Sequence, residues 1–410
     1  MGKVGTEETL ATRMSEATGQ ALLEKMGNAV TYLDILANGE TLKSWAGYKR
    51  LVQDGIAERN YPVWSQLIDK WAKDANTEFD APWDIVHYDA EGNAFVKWHF
   101  ATPDGLPFDA PEAIYYAGAD GLAAGTYHIP IGSAYGKGWK VGDAIQFTLT
   151  AAMDAGDQLY INFGTNYDND PTAGRAWNVY AKGSTTSKQN GTTSNGTEGT
   201  SLGTIGATSA QKPEGQLNAI ARAVYGSGRW SQSAMRQWLN SEADAGAWWT
   251  PQNDWDRPPA EAATLRGFLA GCTADFLSIL EPVEVVTALN TVEGYDTDRE
   301  TTIDRIFLPS LEQMYINPQL SGAEGEYWDY YKELAEEAGI SGKFKTGSTY
   351  PILITYRVDA HSSAVSVRFR SATRGYAYYT WYVNTSGYVG NTYACYAHRG
   401  CPACKIRKSQ

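Results

Sequence analysis

Four residues near the C-terminal end bring reactive atoms close together. Cys395, His398, Cys401 and Cys404 follow the pattern C-x2-H-x2-C-x2-C. Thiolates and imidazole are zinc ligands, and Cys-x2-Cys is the tight turn that structural zinc sites use. Such sites usually pair two of these elements across a longer loop, whereas here every ligand would come from one short run. Cys401-Pro402-Ala403-Cys404 also has the form of a redox pair, but a redox CxxC sits where a strand runs into a helix, and no helical pattern follows it. Zinc, a disulfide and half-buried thiols at a sheet edge all stay open for this cluster. No metal and no cofactor is assigned. Cys272, in Leu269-Ala270-Gly271-Cys272, reads as core.

Other residue types give less. His87 lies near Asp84 and Asp89 in a strand-and-turn setting, where the proximity reads as chance. There is no HExxH and no GxSxG pattern. Glu324, Glu326 and Asp329, and likewise Asn166, Asp168, Asn169 and Asp170, are oxygen-rich, but both groups miss the ligand spacing of a known calcium loop. No catalytic residue is assigned, and the chain is expected not to be an enzyme. Cys401 and Cys404 are the only foothold for the contrary reading.

The tail differs in kind. From Gly375 to Arg399 the residues are nearly all Tyr, Ala, Thr, Asn, Ser, Gly, Cys and His, with Val383 and Val389 as the aliphatic exceptions. A core strand would carry Val, Ile and Leu on its inward side. Tyrosine mixed with small polar residues is instead the composition of a recognition surface: large rigid contacts beside adaptable hydrogen-bonding groups. The alternative is a Tyr-rich sheet face covered by another subunit.

The elements that must carry this tail follow from pattern. Residues 7–36 repeat apolar side chains at helical spacing, from Leu10 and Met14 to Met26 and Val30. A second helical stretch is expected from Thr41 to Lys73, interrupted at Pro62. At Pro82 the period changes to two: Asp84–Tyr88 and Ala94–Phe100 flank a turn and predict a β-hairpin. Further strands are expected at 113–117, 125–131, 144–150 and 157–164. Residues 183–210 are mostly Gly, Ser, Thr and Asn and read as a linker or long loop. Helix is expected over 217–239, 261–270 and 326–339, and strands near 275–290 and throughout 350–410. The organisation read from this is a helical attachment or oligomerisation region (1–80), an antiparallel β domain (81–182), a linker (183–212) and a C-terminal binding domain (213–410).

Composition narrows the class. The 410 residues carry 34 Lys and Arg against 47 Asp and Glu, a net charge of −13. That balance argues against a nonspecific nucleic-acid binder, whose affinity comes from neutralising phosphates. No apolar run is long enough to span a membrane. The first residues hold no apolar segment of the signal-peptide kind, so a role outside a cell would need another route, such as assembly into a particle released by lysis.

Ordered motifs carry a resemblance. Trp230-Ser231-Gln232-Ser233-Ala234-Met235-Arg236-Gln237-Trp238-Leu239-Asn240 is similar to a W-x-x-S-x-x-R-x-W-L-N element. Ile306-Phe307-Leu308-Pro309-Ser310-Leu311-Glu312, then Arg368-Phe369-Arg370-Ser371, then Trp381-Tyr382-Val383-Asn384-Thr385-Ser386-Gly387 follow in the same order as in DUF6273-type domains, which resemble variants of the C-type lectin fold. The tail also resembles the variable region of phage-borne proteins diversified by retroelements, although the common G-V-R-P-A ending is replaced here by Gly400-Cys401-Pro402-Ala403-Cys404. The resemblance implies an α+β fold, with a C-type-lectin-like C-terminal domain preceded by an antiparallel β domain and an N-terminal helical segment. It implies ligand-facing positions at Tyr376, Tyr378, Tyr379, Thr380, Tyr382, Asn384, Thr385, Ser386, Tyr388, Asn391, Thr392, Tyr393, Tyr396 and His398. Arg370, Ser371, Trp381, Val383, Gly387 and Val389 would be scaffold.

The expected function is that of a phage receptor-binding protein, a tail or head fibre or tip subunit. It would be made in the host cytoplasm, act in the virion outside the cell and present this face to a host cell-surface protein or glycan. Other virion proteins would hold its N-terminal region, and a homotrimer is expected, with no nucleic acid bound and no membrane insertion. The alternatives are a purely structural virion subunit with the Tyr face buried in assembly, and a lectin-fold enzyme using Cys401 and Cys404.

Overall fold

A computed structural model of the chain describes residues 25–110, 123–130, 144–149, 152, 160–162, 177–180, 201–205, 226–252, 258–288, 299–317, 324–373 and 379–408. The architecture is mixed α+β: helices lead at the N-terminal side, and several separate β-sheets follow. Among the described residues, none of these sheets closes into a barrel.

Helix α1 (residues 25–37) is followed by α2 (Trp45–Gln53) and the single turn α3 (Ala57–Asn60). Ser44 caps α2 by accepting from the Gly47 amide at 3.0 Å. Asp275, far along the chain, takes the Trp45 and Ala46 amides at 2.8 and 3.2 Å. The start of α2 is thereby satisfied by two carboxylate oxygens in addition to its own cap.

The stretch expected to stay helical to Lys73 does not. Gln66–Asp74 is strand β1, paired antiparallel along its length with β2 (Thr77–Tyr88). Leu67 and Trp71 are its buried apolar residues, and a separation of four fits a strand period of two as well as a helical 3.6. The long pairing partner decides the matter. The hairpin expected beyond Pro82 is present as β2 with β3 (Ala94–Trp98).

The sheet is completed from the far end of the chain. Its order is β1-β2-β3-β18, with β18 at Ala403–Ile406 and Cys404 opposite Val96. An aromatic core lies against it: Trp83 and Trp45 meet Phe276 at 4.6 and 4.8 Å, and Trp98 meets Phe268 at 5.1 Å. Composition divides the chain at residues 80 and 213; this sheet and its core run across both divisions.

Between them, β4 (Leu106–Pro107) pairs with β17 (Ala397–His398), β5 (Gly125–Pro130) with β6 (Ala144–Leu149), and β7 (Tyr160–Asn162) with β8 (Trp177–Tyr180). Within the stretch read as linker, Ser201–Ile205 forms β9 and pairs with β8. The expected strand at 113–117 and the oxygen-rich turn at 166–170 lie outside the described residues.

Of the helix expected over 217–239, Ala234–Leu239 is present as α4, after a 3-10 turn at Trp230–Gln232; residues 217–225 lie outside the described residues. The 261–270 region is two 3-10 turns, Ala260–Ala263 and Phe268–Gly271, and 275–290 is helix α5 (Ala274–Ile279) followed by β10 (Val283–Ala288). β10 pairs with β11 (Arg299–Asp304). Helix α6 (Asp329–Glu337) lies where 326–339 predicts one. The last sixty residues are rich in strand as expected: β12 (Thr355–Arg357) with β13 (Ala360–Val365), and β14 (Val367–Ala372), β15 (Tyr379–Val383) and β16 (Val389–Tyr393) in one sheet.

Candidate functional site

The Tyr-rich segment lies on the β14-β15-β16 sheet. Its register sets Tyr379 opposite Tyr393, Thr380 opposite Thr392, Trp381 opposite Asn391 and Tyr382 opposite Gly390. Trp381, Val383 and Val389 are buried and anchor the sheet in the core. The turn from β15 to β16 is held by one side chain: Asn384 Oδ1 accepts from the Ser386 and Tyr388 amides, each at 2.9 Å. Gly387 completes it at φ +84°, where a Cβ would lie 2.2 Å from the Tyr350 carbonyl oxygen; only glycine fits.

The aromatic rings form two groups. Tyr393 is shared by Tyr379, at 5.0 Å between centroids, and Tyr396, at 5.4 Å edge-on. Tyr382 stacks on His398 at 5.3 Å with the rings 4° from parallel. Burial pushes His398 down to about 4, with Arg368 and Arg399 adding to the effect. That ring is neutral at neutral pH and stacks without charge.

Thr385, Ser386, Tyr388, Asn391 and Tyr396 are exposed, and Tyr379, Tyr382, Asn384, Thr392, Tyr393 and His398 are half-buried. Thr380 departs from the expectation. It is fully buried and its hydroxyl accepts from Arg368, so it supports the face from beneath and does not face solvent. Tyr376 and Tyr378 lie outside the described residues.

Arg368 opens the Arg368–Ser371 element, but the sequence assigned it no role. It is buried, and besides Thr380 it donates to the backbone carbonyls of Tyr393 and Tyr396 at 2.8 and 2.5 Å. One guanidinium thus joins β15 to the end of β16 and the turn beyond it. Its planar fork of donors suits several fixed acceptors at once. The Arg-Phe-Arg alternation was the available signal.

The cysteine cluster is not a cluster in space. Among the described residues all four cysteines are free, and no group of three or more His, Cys, Asp or Glu side chains could hold a metal ion. His398 is stacked on Tyr382, and Cys404 is fully buried on β18 opposite Val96. Burial pushes the Cys401 and Cys404 thiols up, and pushes Cys395 up to about 11. These are protonated thiols at neutral pH, the opposite of what a nucleophile or a redox pair needs.

The ordered motifs converge inside the molecule. Trp230 Nε1 and Arg236 Nε donate to the two oxygens of Asp304 at 3.0 and 2.6 Å, and Thr302 adds a third donor at 2.6 Å. Asn240 Oδ1 accepts from the Arg305 and Ile306 amides at 2.7 and 3.1 Å, while its Nδ2 donates to the Ile306 carbonyl at 2.8 Å. The Trp230–Asn240 element is therefore a clamp on residues 304–306. Ser233 in that element is the N-cap of α4, accepting from the Arg236 amide at 3.1 Å.

The second and third elements meet around Arg370. Its guanidinium donates to the Leu308 carbonyl at 2.7 Å, to Gln313 Oε1 at 2.6 Å and to the Glu324 carbonyl. Ser371 accepts from the Leu311 amide at 2.8 Å and donates to the Glu324 carboxyl. The family model for "Domain of unknown function (DUF6273)" matches residues 212–408, the span that holds all of these elements. Residues 212–408 are a DUF6273 domain. No curated protein and no solved structure matches the chain. Within residues 212–408 the side chains of Trp230, Ser233, Arg236, Asn240, Arg370 and Ser371 are thus committed to hydrogen bonds inside the domain.

Burial of Glu324 outweighs the attraction of Arg370 and holds its carboxyl above the ordinary value. Arg370 is itself brought down to about 10 by burial, with Glu324 acting against that. Glu326 and Asp329, from the same acidic group, turn outward to His87 on β2: Nδ1 lies 2.9 Å from Asp329 Oδ2 and Nε2 lies 3.4 Å from Glu326 Oε2. The pairing of His87 with partners more than two hundred residues away was invisible in the sequence. No helix among the described residues is long and apolar enough to cross a membrane.

Proposed function

We infer that this chain is a recognition protein whose target binds the Tyr-rich face of its DUF6273 domain. The observation that carries the reading is the arrangement of Tyr379, Tyr393 and Tyr396 beside the Tyr382–His398 stack, with Tyr388, Thr385, Ser386 and Asn391 exposed around them. Rigid rings supported by a buried guanidinium lose little freedom on binding, and the exposed small polar groups adapt to the ligand. The biological setting is that of a phage receptor-binding subunit in the virion, contacting a host surface protein or glycan. That setting, the C-type-lectin-like fold and retroelement diversification of the face are supported by the resemblance of motifs and tail composition alone.

The structural-subunit reading also has an observation in its favour. Met26, Val30, Leu33 and Leu36 of α1 are between 57% and 66% exposed, while Ile35 on the opposite side is buried. An exposed apolar stripe at helical spacing is a contact surface for other chains, which suits attachment to other virion proteins or a homotrimer. The two readings are compatible, since a tethered and multivalent recognition protein gains avidity from both ends. The enzyme reading with Cys401 and Cys404 receives no support from their burial.

The test is binding of the purified full chain to intact bacterial cells, wild type beside a Tyr382→Ala/Tyr388→Ala/Tyr396→Ala variant. Each anchor removed from the centre of an interface costs about 2 kcal/mol, roughly a thirtyfold change in affinity. Circular dichroism and melting confirm the fold of the variant. Loss of binding with the fold intact supports the reading; undiminished binding refutes it and leaves the face as an assembly contact.

A further inference from the structure

Of the twelve large apolar side chains that stand exposed among the described residues, four lie on α1: Met26, Val30, Leu33 and Leu36. They are four, three and three residues apart, so they share one side of the helix. Ala29 and Ala37, also exposed, fall on the same side at the same spacings. Soluble chains rarely leave a contiguous apolar patch open without a use for it.

The other side of α1 is committed to the chain's own body. Ile35 is fully buried, Thr31 donates to Asp54 at 2.9 Å, Tyr32 donates to Asn60, and Arg50 donates to Asp34 at 2.8 Å. The helix is therefore already docked, and docking leaves the apolar stripe in solvent. Covering it takes a second chain.

Charge, spacing and size indicate which chain. Lys25 and Asp34 are the only charged residues of α1, and Asp34 is taken by Arg50. An uncharged stripe gives a foreign partner no charge pattern by which to be selected. A copy of the same stripe brings the matching spacing by construction, because one patch repeated about a two-fold axis complements itself. The 26–30–33–37 spacing is that of a heptad seam, in which side chains of one helix enter the holes of an identical one. A stable two-chain interface covers about 800 Å² per partner, and these six side chains supply roughly half of that. A contact of that size is reversible.

We propose that α1 is a self-association surface: copies of this chain pair reversibly through Met26, Val30, Leu33 and Leu36, helix against helix. The gain comes from removing these side chains from water, so it needs no charge on either partner. The inference rests on the reading of α1 as a contact surface given above, and it does not depend on the function of the Tyr-rich face.

Sedimentation of the purified full chain from about 1 to about 100 µM, the range suited to a contact of this size, tests it. The mass is expected to rise with concentration to two or more chains. Val30→Glu/Leu33→Glu changes positions that are 65% and 66% exposed, so it keeps the melting temperature while raising the concentration of half-association by about thirtyfold or more. Ile68→Glu, on β1 and 68% exposed, leaves the association unchanged. Val30→Cys, in the middle of the stripe, gives a disulfide-linked pair of chains under mild oxidation that the wild type does not give. The proposal is overturned if the full chain stays monomeric throughout, if the Glu variant associates as wild type, if Ile68→Glu abolishes association, or if Val30→Cys gives no linked pair. A monomeric chain would leave α1 as a contact for a different protein, so the contact-surface reading would outlast the loss of this inference.

Discussion

Arg370→Met tests whether the buried Arg370 of the DUF6273 domain is structural. Methionine fills a similar volume and removes every donor. Left behind are the Leu308 carbonyl and Gln313 Oε1, which accepted at 2.7 and 2.6 Å, together with the Glu324 carbonyl and a fully buried Glu324 carboxyl. Breaking a buried network by removing one partner costs about 3–5 kcal/mol. In a domain of this size that lowers the melting temperature by about 10 °C.

The loss should also depend on pH. Glu324 already lies above its ordinary value in the folded state, so its contribution is fullest below the ordinary carboxyl range and is lost as pH rises through the folded value. Without Arg370 that value rises further, and the variant weakens more steeply from acid towards neutral pH than wild type does. Glu324→Gln removes the ionisation, so Arg370→Met/Glu324→Gln should regain about 1 kcal/mol or more of the single variant's loss. Melting curves at several pH values on the three variants and wild type provide the comparison. A loss below about 1 kcal/mol in Arg370→Met, or a double variant no more stable than the single, would refute the reasoning.

Two further outcomes follow from the same geometry. Asn240→Ala strands the Arg305 and Ile306 amides and the Ile306 carbonyl and should cost about 2–4 kcal/mol, visible as a lowered denaturation midpoint; a change within the noise would mean that the clamp on 304–306 is dispensable. The thiols should be slow to react with a thiol reagent near pH 8 while the protein is folded, with Cys395 accelerating as pH approaches about 11. Because folding raises these thiol values, their contribution to stability is present below the ordinary thiol range and declines as pH climbs through the folded values. Rapid labelling of Cys401 or Cys404 in the native protein at neutral pH would contradict their burial.

Legibility in the sequence followed the range of the interaction. The hairpin at Asp84–Trp98 was readable because alternation and a turn are local, and α6 and the strand-rich tail were readable for the same reason. Gln66–Asp74 was not, because Leu67 and Trp71 at a separation of four satisfy two periods, and only pairing with Thr77–Asp84 selects between them. The cysteine cluster left zinc, a disulfide and half-buried thiols open, because spacing in sequence says nothing about which way each side chain is turned: Cys404 lies on β18 opposite Val96 while His398 stacks on Tyr382. At the candidate face, composition indicated which residue types to notice, but not that Thr380 is pulled under by Arg368. The contact of His87 with Asp329 and Glu326 was hidden because its partners come from segments far apart in the chain.

The pairing of β18 with β3 has a consequence for the order of folding. The β2–β3 hairpin forms from neighbouring residues, yet the strand that covers the outer edge of β3, Ala403–Ile406, is made far later in the chain. During synthesis that edge is an unprotected template, since exposed strand edges pair with whatever strand is at hand. Closing so large a loop is slow, so the nascent chain passes through a long interval in which a chaperone, or the same edge on a neighbouring copy, competes with Ala403–Ile406. Supplying residues 395–408 in trans to a chain truncated before them, and asking whether the peptide suppresses aggregation, would show how much of the folding yield rests on that last strand.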